Sequence, residues 1–181
     1  MNTSEEEKVI LVNKNDEPVG LMPKLEAHEK GVLHRAFSVF IYNTQGKLLL
    51  QQRALHKYHS PGLWTNTCCS HQRSGESTLE AATRRLKEEM GFTVSLRETT
   101  SFIYKAPFAN GLTEHEYDHI VVGTYDEAPV PNPKEVADWK WMQPEAVRKD
   151  IVDRPDQYTV WFKIIFENYY SQVEASYESD R

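Results

Sequence analysis

The sequence predicts an α/β fold in which a mixed β-sheet lies sandwiched between helices. Three observations carry this expectation. Short β-rich runs alternate along the chain with two or three amphipathic helical runs. A length of 181 residues suits one domain with a sizeable core and is short for two. No repeat, low-complexity tract or internal boundary divides residues 1–181.

The elements follow in order. Residues 9–12 are a short apolar strand, 13–16 a turn and 18–22 a return strand. Residues 24–30 form a polar stretch holding His28, and His34 opens the next strand. Residues 35–43 and 47–53 read as a hairpin around a turn at 44–46, with a leucine-rich second strand. A polar loop over 54–61 carries His56, Lys57 and His59 and leads into the cysteine segment. Ser77-Thr78-Leu79-Glu80 has the form of a capping box and Gly91 is a left-handed stop, so a helix runs between them. On its wheel Leu79, Ala82, Leu86 and Met90 share one face. Glu88 points to water, while Arg85 and Glu89, four apart, share a shoulder.

Residues 93–96 and 100–108 are strand-like, 109–111 a turn, and 114–125 a strand with a charged first half. Alternation puts Glu114, Glu116 and Asp118 on one face of that strand and His115 on the other. Side-by-side carboxylates repel unless a cation or proton lies between them. Residues 129–133 are a proline-rich connector and 138–142 a short strand, and Pro144 begins a helix. The last helix, over about 157–170, sets Tyr158, Trp161, Phe162, Ile165 and Tyr169 on one side as core; from about 171 the polar tail frays.

Composition narrows the function. With 21 basic and 27 acidic residues the formal charge is -6, which argues against a nucleic-acid surface and asks that any anionic substrate find a local basic pocket. The first seven residues hold neither a basic patch nor an apolar run, and nowhere are there the ~20 apolar residues that span a bilayer. The expectation is a cytoplasmic monomer without membrane or nucleic-acid partners. The two cysteines, Cys68 and Cys69, are adjacent. Such a pair is a poor structural staple. Free cysteine is usually a small buried hydrophobe, but His71 two positions on favours thiol chemistry here.

Counted back from Gly91, the pattern Ser70-x5-Glu76-x7-Arg84-Arg85-Leu86-x-Glu88-Glu89-x-Gly91-Phe92 resembles the signature box of the Nudix superfamily, a loop-helix-loop that binds divalent metal and diphosphate. Two positions depart: Ser70 stands for the opening glycine, and Arg85 for the first glutamate of an Arg-Glu pair. That exchange removes a metal ligand, weakens the case for hydrolysis and favours a grip on diphosphate. The altered box follows Thr65-Asn66-Thr67-Cys68-Cys69-Ser70-His71. With residues 34–40 and 48–53, Pro61-Gly62 and Glu114-His115-Glu116, the chain resembles the metal-dependent isopentenyl diphosphate isomerases of that superfamily over nearly its whole length.

The resemblance implies a Nudix-like fold and a 1,3-allylic proton shift on a small diphosphate substrate. It assigns a first metal site to His28, His34, His71, Glu114 and Glu116, a nitrogen and oxygen set open to Mn²⁺, Mg²⁺, Zn²⁺ or Fe²⁺. A second cation, Mg²⁺, falls to Glu89, the diphosphate oxygens and the backbone carbonyl of Cys69. Lys24, Arg53, Lys57 and Arg85 match the diphosphate contacts, with the forked arginines weighted above the lysines. Cys69 and Glu116 match the acid and base, which protonates being left open. Tyr104 matches a residue that holds or passes a proton, and Trp161 one whose ring faces a carbocation. A Nudix pyrophosphohydrolase is the alternative enzyme, disfavoured by Arg85 and Ser70. A small domain with structural zinc on Cys68, Cys69 and His71 is the non-enzymatic one, disfavoured because such cysteines are usually spaced by two to four residues.

Overall fold

The computed structural model describes residues 7–180. Residues 1–6, most of the unpatterned start, and residue 181, the end of the expected tail, lie outside them. Among the described residues nine strands form one mixed sheet. Strands β1 (Lys8–Val12) and β2 (Pro18–Pro23) make the first hairpin, and helix α1 (Lys24–Lys30) follows directly. Strand β3 (His34–Tyr42) is central: it runs parallel to β8 (Thr113–Thr124), which in turn pairs antiparallel with β7 (Arg97–Pro107). On the far side β4 (Leu48–Arg53) pairs with β9 (Val136–Met142).

The expected hairpin of β3 and β4 forms but splays open, because the two strands pair only at Tyr42 and Leu48. The cysteine segment fills the gap. Strand β5 (Trp64–Thr65) pairs with β4, and β6 (Cys68–Ser70) pairs with β3. Thr67 bridges the two sides: its hydroxyl donates to Leu49 O at 2.7 Å and accepts from Ile41 N–H at 3.0 Å. The two cysteines are therefore built into the middle of the sheet. Since strand side chains alternate, Cys68 enters the core layer beneath helix α2 (Thr78–Met90), while Cys69 packs against the opposite layer.

Helix α2 begins at Ser77 with both halves of the capping box made and ends at Gly91, φ 79°. A Cβ at Gly91 would lie 2.3 Å from Val130 O, so any side chain there collides with backbone as well as straining the left-handed turn. The buried stripe is Ala81, Ala82, Leu86 and Met90. Leu79, expected in that stripe, is instead exposed, and Ala81 is buried in its place.

Three further expectations are corrected. Residues 93–96 are not a strand; they cross a sheet face, where Gly123 makes room for Leu96, and a Cβ on that glycine would lie 2.8 Å from Leu96 Cδ2. The stretch around His28 is a helix, and His28 is buried. The last helix is divided: α4 (Val160–Asn168) and α5 (Tyr170–Glu178) follow α3 (Pro144–Asp153) and a short 3-10 turn, Pro155–Gln157. The tail from 171 is thus helical rather than frayed. It buries Val173 and Tyr177, whose ring stacks on Tyr42 with centroids 4.2 Å apart and whose hydroxyl donates to Asn43 O at 2.9 Å. Tyr177→Ala is expected to cost about 3 kcal/mol by urea unfolding, and Tyr177→Phe about 1 kcal/mol. Equal, small losses in both would show that α5 adds nothing to the core. Among the described residues no helix is long and apolar enough to cross a membrane.

Candidate active site

Four of the expected metal ligands meet in the fold. His28 comes from α1, His34 opens β3, His71 follows β6, and Glu116 lies opposite His34 in the parallel register of β3 and β8. One ligand atom from each lies within 4.8 Å of all the others. The backbone fixes the imidazole tautomers. His28 Nδ1 lies 2.7 Å from Lys24 O and His34 Nδ1 2.8 Å from Val32 O. A carbonyl only accepts, so each Nδ1 carries the hydrogen and each Nε2 a lone pair. Both Nε2 atoms are buried without a hydrogen-bond partner. Glu116 Oε1 stands 3.7 Å from His34 Nε2 and 3.4 Å from His71 Nε2. The His34 lone pair turned on a carboxylate oxygen calls for a proton or cation between them, and this donor set fits a divalent metal.

Glu114, expected beside the three histidines, groups instead with His28 and His59. Its Oε2 accepts from Tyr104 OH at 2.5 Å, and its Oε1 lies 3.3 Å from His59 Nε2. His59 was not among the expected site residues. It arrives on the loop after β4 and stacks on Phe108, centroids 5.2 Å apart, a contact between segments far apart in sequence that no local pattern announces. The carboxyls of Glu114 and Glu116 are also pushed in opposite directions. Burial and the charge of Glu116 push Glu114 well up. In Glu116 burial acts the same way but is outweighed by His34 and His71, which when they carry a proton toward it hold it well below the usual carboxylate range.

Burial, seconded by the charge of His71, pushes the His28 imidazole down to about 4, and burial with Arg53 pushes His59 down to about 3. The folded chain therefore resists a proton that the unfolded chain accepts near pH 6.5. Stability of the metal-free protein should fall as pH drops below 6.5 and level off for His28 below about 4. For His28 alone the loss is on the order of 3 kcal/mol. Urea midpoints in chelator at pH 7 and pH 4.5 test this against His28→Gln, which should lose a clear part of the slope. An identical slope in the variant would contradict the neutral buried imidazole.

Above these residues opens a cleft of ≈ 550 Å³, including its open mouth. Its wall carries Lys24, Arg53, Lys57 and Arg85, together with Glu89, Cys69, Tyr104 and Trp161. Three of these cations are paired meanwhile with carboxylates: Lys24 with Glu7 at 2.8 Å, Lys57 with Glu135, and Arg85 with Glu88 at 2.6 Å and Glu89 at 2.8 Å; Arg53 donates instead to His59 O at 3.3 Å. Glu89 also accepts from Gln51 Nε2 at 3.1 Å. Arg84 points elsewhere, bracing the loop before α2 through two bonds to Glu76 at 2.6 and 2.9 Å. On the inner wall the Trp161 indole N–H donates to Cys69 Sγ at 3.0 Å, and the Arg53 guanidinium carbon lies 5.3 Å from the Trp161 ring centroid. Burial, with the Asp118 carboxyl nearby, pushes the Cys69 thiol up. Ser38, Asn66 and Asp118, not among the expected site residues, lie around that sulfur or its partners.

A thiol, paired carboxyls of opposite tendency, a cation-ready histidine cluster and four basic side chains in one cleft describe an enzyme for a small diphosphate. The class is set by the fold: residues 32–162 match the NUDIX domain. The DR0079 structure from Deinococcus radiodurans superposes with a TM-score of 0.74 at 25% identity, covering 90% of this chain and 99% of that one. Among curated proteins, isopentenyl-diphosphate Delta-isomerase 2 of Photorhabdus laumondii is 50% identical over 170 residues, 93% of this chain and 96% of the relative. Isopentenyl-diphosphate Delta-isomerase of Serratia proteamaculans is 49% identical over 163 residues, 90% of this chain and 91% of the relative. The chain belongs to the isopentenyl-diphosphate Delta-isomerase family within the NUDIX superfamily.

Proposed function

We propose that this chain interconverts isopentenyl and dimethylallyl diphosphate, working as a single cytoplasmic domain and a monomer on a free small molecule rather than on nucleic acid or membrane. The observation that carries the reading is the placing of the Cys69 thiol and the Glu116 carboxyl in one cleft whose wall also bears four cationic side chains.

Lys24, Arg53, Lys57 and Arg85 bind the diphosphate, with Lys24, Lys57 and Arg85 exchanging their present carboxylate partners for its oxygens. This anchors the five-carbon chain with its double bond in the deeper part of the cleft. A proton added to the terminal alkene carbon gives a tertiary carbocation, and loss of a proton from the methylene next to it gives the rearranged double bond. Cys69 and Glu116 serve as the proton donor and acceptor on the two faces. Trp161 faces the cation. Arg53 lies over that ring now, so the ring takes a positive charge; once Arg53 turns to the diphosphate, a desolvated contact with the carbocation supplies roughly 2 kcal/mol. Tyr104 holds the hydrogen bond to Glu114 and with it the charge balance of the carboxyl pair.

His28, His34, His71 and Glu116 would hold Mn²⁺ or another divalent metal, with Glu114 beside them against His28 and His59, and Glu89 with the Cys69 carbonyl would hold a Mg²⁺ with the diphosphate. Cations held there would neutralise diphosphate charge and would strengthen the acidity of the Glu116 carboxyl. The test is proton NMR of isopentenyl diphosphate in D₂O with the protein, Mg²⁺ and Mn²⁺. Allylic product carrying deuterium, with no phosphate released, is the expected outcome. An unchanged carbon skeleton with release of phosphate would turn the reading to hydrolysis.

A further inference from the structure

The Cys69 thiol sits among three polar partners whose hydrogen-bonding capacities settle how it is held. Trp161 Nε1 can only donate, and it does so to Sγ at 3.0 Å. Asn66 Oδ1 lies 3.0 Å from Sγ. The Asn66 amide cannot be turned round, because Nδ2 lies 3.0 Å from both Val39 O and Cys68 O and gives each a hydrogen. Its oxygen is thus a fixed acceptor facing the sulfur, in a side chain 1% exposed. Ser38 Oγ, at 3.8 Å, is more distant, and its own hydrogen goes to Asp118 Oδ2 at 2.8 Å.

A chain of hydroxyls supports this arrangement. Thr65 Oγ1 donates to Asn66 Oδ1 at 2.8 Å and accepts from Thr159 Oγ1 at 2.9 Å, while Thr159 N donates to Trp64 O at 3.0 Å. Thr159 precedes α4, the helix that carries Trp161. Thiol and indole are therefore located by one buried strut, Thr159 to Thr65 to Asn66.

Resting on the proton-shift reading above, we propose that Asn66 is a positioning residue of the isomerisation: its Oδ1, held by Thr65, receives the Cys69 thiol hydrogen and fixes the sulfur relative to the Trp161 ring. Asn66 itself need not touch the substrate. Displacing a reacting group by about 1 Å costs on the order of 10²-fold in rate without changing the diphosphate grip.

The experiment compares the full-length, metal-supplemented wild type with Asn66→Ala, Thr65→Val and Thr65→Ser in steady-state isomerisation, with thermal unfolding as the check on folding. Asn66→Ala should lower kcat about 10²-fold with KM within about twofold; Thr65→Val should lower kcat about 10-fold, and Thr65→Ser should restore most of that loss. A folded Asn66→Ala with wild-type kcat overturns the proposal, as does a rise in KM that matches the fall in kcat. Should Asn66→Ala not fold, the Thr65 pair decides: wild-type kcat in Thr65→Val, or no recovery in Thr65→Ser, overturns it equally. An inert wild type would instead overturn the isomerase reading and this assignment with it, whereas an active wild type with unaffected variants removes only the role of Asn66.

Discussion

Cys69→Ala is expected to lower isomerisation by about 10³-fold or more, while the neighbouring Cys68→Ala keeps most of it. The two thiols are one residue apart and chemically alike, so the difference must come from where the strand points them. β6 is held in register by β3, with Ser38 opposite Cys69 and Val39 opposite Cys68. Cys68 is fully buried in the layer under α2, where burial and the Glu89 carboxylate push its thiol well up and no substrate can reach it. Its loss should cost about 1 kcal/mol of stability through lost packing and little activity. Cys69 lines the cleft and is gripped by Trp161 and Asn66. Turnover followed by NMR, with urea unfolding of both variants, separates the two effects. Equal loss of turnover in the two variants would remove the assignment of Cys69.

Much of this arrangement is local and therefore readable in the sequence. The capping box at Ser77 and the stop at Gly91 are written within single turns, and both form. The alternation of Glu114, Glu116 and Asp118 follows from a strand's period of two, and all three are buried on the face it predicts. The unread parts depend on where distant segments meet. Residues 93–96 have strand composition but are carried across the sheet, over Gly123, instead of beside it. The tail looked polar by count, yet Tyr170, Val173 and Tyr177 recur at helical spacing; that stripe was present and outweighed by its serines and glutamates. His59 joins Glu114 only because the loop after β4 folds back over β8. Asn66 lies inside the recognised Thr65 to His71 segment, but its contact with Cys69 depends on the bend that wedges this segment between β3 and β4.

Glu116→Gln should separate the metal-binding part of the site from its proton chemistry. The substitution keeps the shape of the side chain but replaces a carboxylate oxygen with an NH₂ group that can donate. In the native chain His34 Nε2 and His71 Nε2 both face Glu116 Oε1, at 3.7 and 3.4 Å. An amide turned toward them satisfies the His34 lone pair, leaves His71 free to present its own, and closes the position a cation would take. The metal-free variant should therefore be as stable as the wild type or more so by about 1 kcal/mol. Its affinity for Mn²⁺ should fall about 10²-fold or more, and the stabilisation that added metal confers on the wild type should disappear. Isomerisation should fall at least as far as in Cys69→Ala. Glu114→Gln provides the contrast. Because Glu114 is pushed toward the neutral form and already accepts from Tyr104, its amide should disturb the metal-free protein little. Titration of Mn²⁺ by electron paramagnetic resonance, beside urea unfolding with and without metal, reads both quantities. A Glu116→Gln chain that binds Mn²⁺ like the wild type would take Glu116 out of the ligand set. If such a chain were also inactive, the carboxyl would be left with the proton role alone.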